Sequence, residues 1–144
     1  MTSPRHVLES ALYADDLGAA ERFYGDTLDL QKVTRAGDRY AFFRCGDGML
    51  LIFNPGQSVK PPSNPAMPVP VHGKSGAGHM CFAGSERELE DRARALRAAG
   101  FEIEADFCWP GGGRPIYTCD PAGNSFEFAE PRIWGIGAET KEQA

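Results

Sequence analysis

The apolar positions fall into two similar series separated by a proline-rich stretch. His6–Tyr13 is short, mostly apolar and ends at Asp15-Asp16, as a strand would. Leu17, Ala20, Phe23, Tyr24 and Leu28 then recur at helical spacing, with Asp16 placed to cap the helix. Strand-like runs follow at Leu30–Thr34, Tyr40–Arg44 and Met49–Phe53, with turns at Gly37-Asp38 and Gly46-Asp47-Gly48. The first series therefore reads β-α-β-β-β.

The second series repeats that order. Gly78–Ala83 predicts a strand, and Ser85-Glu86-Arg87-Glu88 is a capping box. Leu89, Ala93 and Leu96 continue an amphipathic helix that stops at Gly100. Strands are then predicted at Phe101–Phe107, Pro115–Cys119 and Ser125–Phe128. The turns between them are Gly111-Gly112-Gly113 and Asp120-Pro121-Ala122-Gly123-Asn124. Between the series, Asn54–Ser75 holds six prolines and predicts no regular element, only a connector or a lid. The chain thus reads as a single domain. It has module one at about 6–55, a linker at 56–75, module two at about 76–131 and a tail at 132–144. The fold class is α+β, with two βαβββ modules whose curled mixed sheets form a concave site.

Composition narrows the classes. The 144 residues are 42% hydrophobic and 24% charged, ordinary for a globular domain. A net charge of −5 and the absence of a Lys/Arg run argue against a nucleic-acid partner. No apolar run approaches a membrane span and none at the start reads as a signal peptide, so a cytoplasmic protein is expected. Cys45, Cys81, Cys108 and Cys119 form no CxxC pair and read as reduced thiols.

Strand alternation sorts the polar residues by face. Glu9 shares a face with Val7, Ala11 and Tyr13, while Leu8 and Leu12 point under the helix. His79 shares a face with Cys81 and Ala83, and Glu127 with Ser125 and Ala129. Glu9, His79 and Glu127 thus all lie on the faces away from the helices. Each alone has an ordinary reading, a solvated glutamate or a hydrogen-bonded histidine. At matched strand positions they form a candidate site, because carboxylates and an imidazole on a buried face need a partner or a cation. The same alternation directs Tyr117 and Cys119 inward from the second module, and Tyr13, Phe53 and Met49 from the first. Trp109-Pro110-Gly111-Gly112-Gly113-Arg114 is a glycine-rich loop without nucleotide-binding spacing. Its Arg114 is a candidate carboxylate clamp or an ordinary loop arginine, and Trp109 is a candidate pocket wall. His72 reads as a rim residue.

Leu12–Tyr24, Gly78–Ala83 and Asp120–Glu127 carry a resemblance to the vicinal oxygen chelate superfamily, which includes glyoxalase I, bleomycin-resistance proteins and extradiol dioxygenases. The similarity spans about residues 6–131. It implies metal ligands on first and last strands of the modules: His79, Glu127 and, seven residues before Asp16, Glu9. His6 is the substitute if the register slips. The fourth position, a glutamate in glyoxalase I, falls on Leu51, so the set differs from an unmodified glyoxalase I site. One imidazole and two carboxylates suit Mn²⁺, Fe²⁺, Ni²⁺, Mg²⁺ or Zn²⁺. The resemblance implies a metalloenzyme of lyase or isomerase type, acting on a small substrate with adjacent oxygens and using Glu127 as base. The alternative is a metal-free protein that sequesters a drug or metabolite. It further implies a homodimer in which module one of one copy pairs with module two of the other.

Overall fold

The computed structural model describes residues 4–74, 76–104, 107–110 and 112–136. The chain divides into two compact units. One comprises Met1–Gly78 with Pro121–Asn124, the other His79–Asp120 with Ser125–Ala144.

The first unit is a four-stranded mixed sheet with a helix on one face. Its strands are β1 (Glu9–Tyr13), β2 (Gln31–Ala36), β3 (Tyr40–Cys45) and β4 (Gly48–Phe53), in the order β1-β4-β3-β2. Only β1 and β4 run parallel. The helix α1 (Leu17–Glu21) starts at Asp16, whose side chain accepts from the Ala19 amide at 2.9 Å. It widens into a π-helical turn over Arg22–Thr27, where the Leu28 amide reaches back to the Phe23 carbonyl at 3.0 Å. Leu17, Ala20, Phe23 and Tyr24 bury their apolar stripe together with Leu12, Ala41, Phe43, Leu50 and Ile52. The Phe23 and Tyr24 rings meet edge to face at 5.0 Å. Leu8 does not join this core as expected. It precedes the first strand residue and is exposed, its backbone carbonyl accepting from the Met49 amide.

The proline-rich stretch contains one regular turn that the proline count hides, α2 (Pro55–Ser58). Proline is tolerated there because it occupies the first turn, where an amide has no helical partner, and Asn54 caps the Gly56 amide. Residues beyond it are tied back by the His72 amide, which donates to the Ser58 carbonyl at 3.1 Å.

Segment 121–124 completes the first unit from far along the sequence. Asn124 is buried; its Nδ2 donates to the Tyr13 carbonyl at 3.1 Å and its Oδ1 accepts from the Gly78 amide at 2.8 Å. Gly78 permits that approach, since a Cβ would meet Leu12 Cδ2 at 2.9 Å.

The second unit has a three-stranded sheet of β5 (His79–Ala83), β6 (Ile116–Cys119) and β7 (Ser125–Ala129), in the order β5-β7-β6. The helix α3 (Glu86–Ala98) carries the predicted capping box: Ser85 Oγ accepts from the Glu88 amide, and the Glu88 carboxylate accepts from the Ser85 amide at 2.7 Å. It ends before Gly100, whose φ of +87° suits glycine. Phe82, Phe126 and Phe128 cluster along one sheet face, with Phe82 and Phe126 centroids 4.7 Å apart.

The strand predicted at Phe101–Phe107 is not seen among the described residues. Only the Glu104 amide reaches the Tyr117 carbonyl, at 2.9 Å, and Thr118 Oγ1 takes the Glu102 carbonyl at 2.8 Å. A side chain thus occupies an acceptor that a backbone ladder would use. Residues 105 and 106 lie outside the described residues. A short 3₁₀ turn, Pro131–Trp134, follows β7. No described helix is long and apolar enough to cross a membrane.

Candidate functional site

In the second unit the strand register sets the chemistry. Cys81, Glu127 and Tyr117 stand side by side across β5, β7 and β6, and His79, Ser125 and Cys119 form the next row. Period-two alternation puts both rows on the face opposite Phe126 and Phe128. Glu127 is buried there. Its Oε2 lies 3.5 Å from His79 Nε2, and His79 Nδ1 is 3.1 Å from Ser125 Oγ. Ser125 therefore sets the imidazole's direction, as a supporting partner does for a ligating or catalytic histidine.

The other oxygen, Glu127 Oε1, is buried and makes no hydrogen bond. Such an acceptor is costly to leave unmatched. Its neighbours are held protonated. Partial burial and then Glu127 push the Tyr117 hydroxyl up to about 12. Burial and then the Glu127 charge push the Cys81 thiol up to about 12. Glu127 thus lies beside a histidine, a phenol and a thiol, with one buried oxygen open to a cation or to a proton.

An aromatic row flanks it. His79 and Tyr117 are near parallel with centroids 6.4 Å apart, as are Tyr117 and Phe107 at 6.1 Å. Phe107 meets the Trp109 ring edge to face at 4.9 Å. Trp109 sits in a tight turn, its amide donating to the Gly113 carbonyl at 2.9 Å, and its indole Nε1 is buried without a partner.

Arg114 is not brought to this face. It lines a cavity of about 570 Å³ on the α3 side, with Arg94, Arg97, Glu86, Glu90 and Ile116. Ile116 pairs across to Phe128, which fixes that side as the one opposite Glu127. Gly112 and Gly113, both at positive φ, turn the chain before its arginine, which the sequence pattern does not reveal.

In the first unit Glu9, Met49 and Arg44 form one row across β1, β4 and β3. Ala11, Leu51 and Phe42 form the next, and Tyr13, Phe53 and Tyr40 the third. Glu9 is exposed and Leu51 buried. Tyr13 and Phe53 belong to an aromatic cluster completed by His72: Tyr13 Oη lies 2.8 Å from His72 Nδ1, and the Phe53 and His72 rings are 4.4 Å apart. Sequence reasoning gives His72 only as a rim residue; no pattern within the proline-rich stretch signals its tyrosine partner. It also passed over Ser125 and Phe107. Alternation alone places Ser125 beside Glu127, whereas Phe107 falls where a strand was expected. His6 is exposed, ahead of β1.

Among the described residues, no three His, Cys, Asp or Glu side chains converge to hold a metal ion. Within the second unit, His79 Nε2 and the unpartnered Glu127 Oε1 are the donors that suit one.

One family model matches residues 4–128. The chain belongs to the glyoxalase/bleomycin resistance protein/dioxygenase superfamily. Comparison with curated proteins gives no match. Among solved structures, one titled lactoylglutathione lyase from Agrobacterium tumefaciens is 40% identical, with a TM-score of 0.84; the match covers 92% of this chain and 98% of that one. A glyoxalase/dioxygenase from Nostoc punctiforme shares the fold at 23% identity and a TM-score of 0.64, over 90% of this chain and 94% of that one. A glyoxalase/bleomycin resistance protein/dioxygenase from Nocardioides does so at 21% and 0.68, over 90% and 85%.

Proposed function

We propose that the protein is a metal-dependent lyase or isomerase acting on a small substrate with adjacent oxygens. The observation that carries this reading is Glu127 Oε1, a buried acceptor without a partner beside an imidazole that Ser125 orients. The likeness to a structure titled lactoylglutathione lyase supports it. His79 and Glu127 would hold the cation, and Glu9, on the other unit, is the third donor that the superfamily resemblance implies. Mn²⁺, Fe²⁺, Ni²⁺, Mg²⁺ and Zn²⁺ all suit such a set. When bound, the ion supplies Lewis acidity to the substrate's oxygens.

The chain's own groups do the rest. The carboxylate oxygen of Glu127 that does not hold the cation would take a proton from the substrate and return it at the neighbouring atom. Tyr117, held protonated beside it, presents a neutral hydroxyl to a substrate oxygen. Ser125 keeps His79 turned toward Glu127.

A second reading, a metal-free protein that sequesters a small ligand, is favoured by Leu51. This buried apolar residue stands where glyoxalase I has a glutamate.

Metal analysis separates the two. Protein dialysed against Mn²⁺, Ni²⁺ or Zn²⁺ is expected to retain about one ion per chain, and His79→Ala to lose it. Retention by His79→Ala equal to the parent's would remove His79 from the site. No retention by the parent would favour the sequestering reading.

A further inference from the structure

We infer that the groove between α3 and the start of β6 is a second binding site, and that its ligand is a short apolar peptide with both ends free. The groove shares no residue with the proposed reaction centre, so the inference goes beyond that reading.

Three observations carry it. The cavity there holds about 570 Å³, within the range of small-ligand sites. Its floor is apolar: Ile103 and Ile116, both half-buried, line it beside the buried Leu89 and Ala93. Second, Glu86, Glu90 and Arg97 line the groove from one face of α3. None of these three has an ion-pair partner among the described residues, whereas Arg94 on the same wall is paired with Asp91 at 2.6 Å. Arg114, on the facing wall, has contacts of its own. The helix wall is therefore negative toward its N-terminus and positive toward its C-terminus. A ligand charged at one end only would leave the other end of the groove unmatched. Third, the spacing sets a length. Glu90 and Arg97 are separated by about 10 Å of helical rise, Glu86 and Arg97 by about 16 Å. An extended peptide covers roughly 3.4 Å per residue, so about three to five residues would set an ammonium at the glutamates and a carboxylate at Arg97. The apolar side chains between those ends would lie on the isoleucine floor.

The test is an NMR titration of the full chain with the tripeptide alanyl-leucyl-alanine, its N-acetyl form and its C-terminal amide. The free peptide is expected to shift the amides of α3 and of Ile116. Each blocked form is expected to bind about fivefold more weakly, the upper scale of an exposed ion pair. Arg97→Ala is expected to bind the free peptide and the amide alike while still preferring a free amino end. Glu86→Gln combined with Glu90→Gln is expected to do the converse. All three positions are exposed, so the variants keep the fold, and their spectra check this. No binding of the free peptide, equal binding of free and blocked forms, the parent's discrimination unchanged in the variants, or shifts confined to β5 and β7 would overturn the inference. So would a dimer by light scattering that Arg97→Ala dissolves, which would make a second copy the occupant. None of these readouts involves metal retention, so either result leaves the proposed function to its own test.

Discussion

Cys119 shows how one neighbour sets a side chain's chemistry. Its Sγ donates to Glu104 Oε1 at 3.0 Å, and the thiol is pushed up to about 11, first by that carboxylate and then by burial. A negative acceptor stabilises the protonated thiol, so the thiolate is scarce at pH 8–9. Cys108 is exposed. Iodoacetamide at pH 8.5 is therefore expected to label Cys108 well before Cys119, as read by mass spectrometry of the peptides. Glu104→Gln removes the charge and lowers the Cys119 pKa. Each tenfold gain in thiolate corresponds to about one pH unit, and the labelling rate of Cys119 is expected to rise accordingly. An unchanged rate would assign the shift to burial alone. At the candidate site the order of causes is reversed, with burial first and Glu127 second keeping Tyr117 and Cys81 protonated.

At the scale of elements, α3 stands on its cap. Ser85 and Glu88 satisfy two amides at its N-terminus, and its three buried residues are Leu89, Ala93 and Leu96. Ser85→Ala breaks the reciprocal pair and is expected to cost about 1 kcal/mol, read as a fall in Tm. A loss near zero would mean that the short apolar stripe holds the helix by itself. Elements with local causes were legible in the sequence: the caps at Asp16 and Ser85, the stop at Gly100, the alternation of β4 and β7. Glu127 and His79 were legible for the same reason, since period two fixes their face. What failed had non-local causes. The Phe101–Phe107 segment is apolar enough for a strand, but Thr118 takes one of its carbonyls. Arg114 follows a glycine run that does not reveal its side of the sheet. His72 is defined by Tyr13, 59 residues away.

At the scale of the whole molecule, the duplicated strand–helix pattern yields two units, each with its own sheet and core. Glu9 belongs to one, His79 and Glu127 to the other. The superfamily resemblance implies that two copies pair and that Glu9 of one copy serves the other. Glu9→Ala and His79→Ala, each expected to be metal-poor, would then complement when their subunits are exchanged. Such a dimer has two sites, and the mixed one carries a single intact set. Recovery of metal binding in the mixture, with a dimer by light scattering, is the expected outcome. A monomer, or a well-exchanged mixture that recovers nothing, would put Glu9 to work within its own chain or not at all.

Asn124 carries a consequence for how the chain is made. It joins the first unit from 111 residues beyond Tyr13, and Gly78 waits on the same side chain. During synthesis the N-terminal half emerges first and can gather its helix and four strands. The Tyr13 carbonyl and the Gly78 amide nevertheless wait for their bonds to Asn124 until residue 124 has been translated. Closing so long a loop is slow, and a half-finished sheet is exposed meanwhile. The Asp120–Asn124 turn is therefore a late latch on an early unit. A nascent chain halted before it would hold the right strands in an unfinished fold.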